Sequence, residues 1–316
     1  MIMFLAVNES VISRNCVNRI FDYLNKQRGT TRYGYKEEQN MMIDAESSAY
    51  KIMKYSSNFF AVNFPLMVII QPMMAVIAGE SWKQLPHPWP ISQENDWLLY
   101  FSFLLQFGGV ALAHCVAVAS IAVLTMTKPI TSLFDGVILG IDRIEERAAR
   151  KMTEEGLTYQ ESMLSCLRES IAHHQEIVDE LVAVKPHLEI TFFSQVTFIS
   201  TIMACEAYPI IMGIVDFSGV MRGIWFFIIQ AMCCSFLNYE LDTVANKNVE
   251  VGEALYGTPW YAMGVEYRRL VLNSMTFSQN PIWIRGMGLL GLKASRANFY
   301  SAMVNAYNVL NMLRST

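Results

Sequence analysis

Two stretches of this chain, Tyr55 to Gly79 and Trp97 to Thr127, run without a single Asp, Glu, Lys or Arg. About 20 mainly apolar residues in a helix cross the roughly 30 Å of hydrocarbon in a bilayer, so each run is long enough to span one. Three weaker segments follow: Ile190 to Val215, interrupted once by Glu206, then Gly223 to Tyr239 and Ala297 to Leu313. The expected architecture is therefore all-α, a polytopic membrane bundle with about five transmembrane helices. Composition agrees, with 53% apolar residues and 16% charged against about 25% charged in an average soluble domain. That excludes a disordered tail protein and most cytosolic enzymes.

Net charge is −4 and no basic block is present, so nucleic acid is not an expected partner. The six cysteines form no C-x-x-C pair, and four of them (Cys115, Cys205, Cys233 and Cys234) sit inside apolar runs, which supports neither a zinc site nor a disulfide framework. Met1 to Val7 has no basic residue before it and no small-residue cleavage site after it, so it reads as the end of a helix and not as a signal peptide.

Lys and Arg set the orientation. Eight lie in residues 1–54 and seven in 128–186, but one in 80–96 (Lys83), and after 296 only Arg314 remains. A cytoplasmic N-terminus and an extracellular C-terminus follow. The sequon Asn8-Glu9-Ser10 then lies in the cytoplasm, where no oligosaccharide is attached.

Between the spans, Leu164, Leu167, Ile171, Val178 and Leu181 recur at helical spacing with Glu161, Arg168, Glu169, Glu176, Asp179 and Glu180 on other faces. This predicts an amphipathic helix continuing toward the Ile190 span, with Pro186 kinking the junction. A second such stretch runs from Leu241 to about Tyr256, breaks at Gly257-Thr258-Pro259 and resumes from Tyr261 to Met275. The domain division expected is a cytoplasmic segment (1–54), transmembrane ligand-binding helices (55–239) with a cytoplasmic helical insertion (128–186), and cytoplasmic anchor helices with a final pore-lining helix (240–316).

Chemistry-bearing residues are few. His173-His174 with Glu176 suggests a metal, but adjacent histidines on a helix point about 100° apart and no second ligand cluster completes a site, so no metal is expected and one imidazole packs against the bundle. Glu206 and Asp216 are carboxylates in or beside a span, where such groups mark a function or face a watery cleft. No nucleophile elbow, Walker loop or H-E-x-x-H motif occurs, so neither an enzyme nor a cofactor is expected.

Asn298, Ser301, Asn305, Asn308, Met312 and Ser315 form a stripe along one face of the last span. It either hydrogen-bonds neighbouring helices or, with copies from other subunits, lines a hydrated ion path through Ser301, Asn305, Asn308 and Met312. Aromatic and methionine side chains crowd the outer halves of the other spans. Met67, Met73, Met74, Trp97, Tyr100, Phe101, Tyr208 and Trp225 are the candidate contacts of an apolar pocket suited to a small volatile molecule.

The sequence resembles the insect odorant receptors. Ser301-Ala-Met-Val-Asn-Ala-Tyr307-Asn-Val-Leu-Asn-Met-Leu313-Arg314-Ser315 looks like the final-helix signature of that family. Asn238-Tyr-Glu240, Val251-Gly-Glu-Ala254-Leu255-Tyr256 and Trp260-Tyr261 look like its stretch after the sixth helix. The helix Leu167 to Val182 and the outer loop Leu85-Pro-His-Pro-Trp89-Pro90 also fit. The resemblance covers about residues 20 to 316.

It implies spans three to seven of a seven-span receptor with inverted topology, and so a chain shortened at its N-terminus. It further implies an odorant-gated cation channel in olfactory neurons, built as a heterotetramer with a shared co-receptor, whose hydrophobic constriction falls close to Met312. A gustatory receptor of the same superfamily and a secondary transporter are the alternatives; no repeated half supports the latter.

Overall fold

The computed structural model describes residues 14, 18–27, 31–77, 79, 97–98, 100–101, 104, 121, 125, 127–211, 217–286, 292–301 and 303–304. Among them the chain is helical: α1 (18–27), α2 (Lys36–Ile77), α3 (127–142), α4 (Ile144–Glu155), α5 (Tyr159–Ile211), α6 (Phe217–Gly257), a 3₁₀ turn (Trp260–Ala262) and α7 (Val265–Ser278). A last helix, α8, starts at residue 296. An isolated antiparallel bridge, Arg285 to Lys293, interrupts the helical chain between α7 and α8.

Length explains the architecture. α2, α5 and α6 contain 42, 53 and 41 residues, about 60 to 80 Å at 1.5 Å per residue, roughly twice the hydrocarbon thickness or more. Each is therefore long enough to pair a membrane segment with an extension at least as long outside it. By length and composition, one described stretch, Gly223–Gly257, can cross a membrane alone, with a mean hydropathy of 1.4 in its apolar part. The run Trp97 to Thr127 lies largely outside the described residues.

The extensions pack into a bundle whose core is closed on several sides. Phe134, Val137 and Ile141 of α3, Ala148 of α4, Leu167, Leu181 and Leu188 of α5, and Leu241, Val244 and Leu255 of α6 are all essentially inaccessible. α4 packs on α5, α5 on α6, and α7 folds back along α6. The amphipathic face expected from Leu164 to Leu181 is the face α5 turns inward, with Leu167, Val178 and Leu181 buried and Leu164 and Ile171 partly so.

Local signals fix the ends. Thr158 and Glu161 form a reciprocal capping box at the start of α5: Thr158 N–H donates to Glu161 Oε2 at 3.0 Å, and Glu161 N–H donates to Thr158 Oγ1 at 3.4 Å. The Thr158 hydroxyl also donates to Glu161 Oε2, at 2.7 Å, and that bond together with the Thr158 N–H holds the Glu161 carboxyl below its ordinary range. Gly156, at φ +68°, ends α4 in the left-handed conformation. The predicted break after Tyr256 falls where expected, with α6 ending at Gly257. α5 continues as helix through Pro186, joining the amphipathic segment and the apolar segment into one element.

Gly140 is required by a close approach, since a β-carbon there would lie 2.7 Å from the Tyr33 ring. Gly140→Ala is expected to push Tyr33 from its slot and cost about 1–3 kcal/mol by overpacking. A lowered melting temperature of the purified chain, with loss of surface expression, checks this.

Candidate functional site

The apolar contacts expected for a volatile ligand are distributed along separate helices. Met67, Met73 and Met74 lie on α2, Tyr208 on α5 and Trp225 on α6, while Trp97, Tyr100 and Phe101 share one face of a helical segment. The side chains of Met67, Met74 and Tyr208 lie outside the described residues. Met73, Tyr100, Phe101 and Trp225 are exposed, and Trp97 is 84% exposed, so these side chains face the chain's surroundings and not a pocket closed by this chain's described residues. Glu206 is placed on α5 without its side chain, and Asp216 lies outside the described residues.

Ser301 is exposed on α8, and Asn305, Asn308 and Met312 lie outside the described residues. Asn298, the first member of the polar stripe, is used locally. Its amide Nδ2 donates to Lys293 O at 2.8 Å, and its backbone N–H donates to Ser295 Oγ at 3.2 Å, which makes Ser295 the N-cap of α8.

Where α8 begins, the structure assembles a polar junction that sequence reasoning had only in part. Asn238, on the buried face of α6, accepts the Ser295 N–H at 3.2 Å with its Oδ1 and donates from Nδ2 to Cys234 O at 2.9 Å. One turn further, Asp242 takes Arg296 Nε at 2.9 Å, while the Arg296 guanidinium lies over the Tyr239 ring, 4.4 Å from its centroid. Glu240, between them in sequence, points to the other side of α6 and pairs with Lys128 Nζ of α3 at 2.8 Å. Glu240 is 2% exposed.

The six residues 238–243 thus clamp α6 to the first turn of α8 on one side and to α3 on the other. Asn238-Tyr239-Glu240 was visible in the sequence as a motif. Its partners Lys128, Ser295 and Arg296 were not, because they lie 53 or more positions away; the Ser-x-x-Asn spacing at 295–298 was the one available signal.

A second polar cluster lies deeper in the extramembrane bundle. Arg147, 4% exposed, donates to Gly140 O and Ser170 Oγ, both at 2.8 Å, pairs with Glu169 at 2.6 Å and stacks over the Tyr33 ring at 4.2 Å. Tyr33 Oη and His173 Nδ1 are 2.9 Å apart. On the adjoining face of α5, His174 Nε2 meets Asn248 Oδ1 of α6 at 2.7 Å, with its ring between those of Phe134 and Phe277. Both imidazoles are therefore buried, where the sequence predicted one. No group of three or more metal-ligating side chains occurs among the described residues.

Burial lowers both histidines, His173 to about 4. A depressed histidine is neutral when folded while the unfolded chain takes up a proton near pH 6.5. Its stabilisation is thus present above about 6.5 and withdrawn as pH falls toward 4. A melting curve series over that window should slope with pH, and His173→Gln should flatten it.

The letters Gly286-Met-Gly288-Leu-Leu-Gly291 match a dinucleotide-binding spacing, but that fingerprint requires a strand before it and a helix directly after. Here it follows the bridge residue Arg285 in a helical chain, so it carries no cofactor reading.

Long helices sharing one packed bundle, with a last helix clamped to it at its first turn, define an all-α helical bundle. The family model described as 7tm Odorant receptor matches residues 19–295. The chain belongs to that family, and is a receptor and not an enzyme. Its fold is similar to that of the insect olfactory receptor OR5 from Machilis hrabei, with a TM-score of 0.67 at 12% identity over 98% of this chain and 79% of that one. The same receptor in complex with eugenol matches with a TM-score of 0.61, at the same identity and coverage.

Proposed function

We propose that this chain is the odorant-sensing subunit of an odorant-gated, non-selective cation channel formed with a shared co-receptor in a heterotetramer. Its site is the plasma membrane of olfactory neuron dendrites, with the N-terminus cytoplasmic and the C-terminus extracellular. The observation that carries the reading is the junction at 238–243. It couples α6, which bears Trp225, to the first turn of α8, which bears Ser301 and which Asn305, Asn308 and Met312 follow in sequence.

The ligand is a small apolar volatile held by Met67, Met73, Met74, Trp97, Tyr100, Phe101, Tyr208 and Trp225, with walls supplied jointly by this chain's helices and their neighbours. Burial yields about 25 cal/mol per Å², so such a molecule gains only a few kcal/mol and recognition is shape-tolerant. Gating needs more than binding: the ligand must prefer the arrangement of α6 that accompanies the open path, and only that preference shifts the equilibrium.

The test is odorant-evoked current from cells expressing the chain with and without a co-receptor. Current that requires the partner and changes in Met312→Ala supports the reading. Uptake without current, or the same current in every variant, overturns it. Asp242→Asn, which removes the half-exposed pairing with Arg296, is expected to shift the half-maximal odorant concentration by about two- to fivefold, the worth of a surface ion pair. A tag after Thr316 should be reached by antibody on intact cells.

A further inference from the structure

A cavity of about 260 Å³ opens between α1, α2, α3 and α5 in the extramembrane bundle, remote in sequence from the proposed odorant contacts. Met42 and Ile43 of α2 and Leu133 of α3 give it apolar walls, Gln27, Glu38, Gln39 and Glu46 line its rim, and Ser132 and His173 supply further polar groups. Both polar residues are buried, Ser132 to 7% and His173 to 2% exposure. Among the described residues, neither Ser132 Oγ nor His173 Nε2 has a hydrogen-bond partner. Buried polar atoms are rarely left unmatched, because each costs about 1–3 kcal/mol.

The chemistry of those two atoms narrows what can fill the space. Tyr33 Oη occupies His173 Nδ1, so Nε2 is a donor if Tyr33 donates and an acceptor if it accepts. A hydroxyl satisfies either tautomer, and it satisfies the Ser132 hydroxyl in either sense as well. Charge is disfavoured in both signs: Glu38 and Glu46 line the wall against an anion, while the Glu38 carboxylate already takes the N–H groups of Arg32 and Tyr33, both at 3.1 Å, Glu46 is engaged as well, and the Arg147 guanidinium lies behind Tyr33. The volume equals about nine waters at roughly 30 Å³ each, too small for a two-chain lipid.

We infer that this cavity is a second ligand site, which takes a small neutral alcohol of about eight to ten non-hydrogen atoms. The alkyl part lies against Met42, Ile43 and Leu133, and the hydroxyl lies between Ser132 Oγ and His173 Nε2. The inference stands on the bundle's geometry and is independent of the odorant-gating reading, since its readout is labelling and not current.

The experiment labels the full chain in nanodiscs with an octanol carrying an aliphatic diazirine, and maps the adducts by mass spectrometry. The expected result is an adduct on the peptide containing Met42 and Ile43 that excess 1-octanol removes. Gly136→Leu should reduce it about tenfold by filling the cavity. A β-carbon at 136 makes only ordinary contact with Glu38 Cγ at 3.7 Å, so the backbone accepts the change. Ser132→Ala, which leaves the packing intact, should weaken competition by octanol about threefold to tenfold. Adducts confined to the Trp97 and Trp225 peptides, labelling unchanged in both variants, or protection by a monoacylglycerol and not by octanol would each overturn the assignment.

Discussion

Arg147→Ala should cost the protein about 3 kcal/mol and abolish surface expression. Removing one member of a buried ion pair typically costs about 3–5 kcal/mol, and the part-exposed Glu169 places this case at the lower end. The loss extends past the carboxylate, because Gly140 O and Ser170 Oγ lose their donor and the Tyr33 ring loses its cation. Arg147→Lys should recover only part, since an ammonium cannot reach these partners with a planar fork. Arg168→Ala is the control. Its pairing with Glu266 is exposed on both sides, and such pairs are worth under about 1 kcal/mol. Thermal melting of the purified variants and antibody labelling of a surface tag separate the two.

Lys128→Met should be comparably severe, at about 3–5 kcal/mol, for a different reason. It strands Glu240 as a buried carboxylate, and Glu240 Oε2 already has no hydrogen-bond partner among the described residues. Glu240→Gln should be milder, and the double variant Lys128→Met/Glu240→Met close to neutral in stability, because replacing a buried pair by apolar groups removes both desolvation costs. If the clamp transmits gating, the double variant will fold and reach the surface yet respond to odorant with altered sensitivity. Melting temperature and evoked current, measured on the same variants, distinguish the structural contribution of the pair from the functional one.

What the sequence made legible was what repeats locally. The inward stripe from Leu164 to Leu181, the break at Gly257-Thr258-Pro259 and the apolar segments of α2 and α6 are all periodicity or composition, and each appears in the structure close to its expected place. What stayed hidden was pairing at a distance. Nothing near Tyr33 indicates that its hydroxyl meets His173, 140 positions on, or that Gly140 is small to admit its ring.

Pro186 shows a different limit. A proline there is expected to kink the junction, and α5 runs through it as one helical element, which a proline-bearing helix does at the expense of one hydrogen bond. Asn298 reads as part of a hydrated stripe by spacing alone, but as the third residue past the Ser295 N-cap it serves its own helix. The candidate ligand contacts follow a rule of composition, and composition places aromatic side chains near a membrane surface without saying which neighbour they will touch.

Because α6 is a single rod of 41 residues, about 60 Å from end to end, it works as a lever. A tilt of about three degrees imposed beside Trp225 moves residues 238–243, roughly 20–27 Å further along the helix, by about 1 Å, comparable to the margin that separates a made hydrogen bond from a broken one. A volatile that does no more than nudge one wall can, over that span, decide whether the contacts at 238–243 hold or slip.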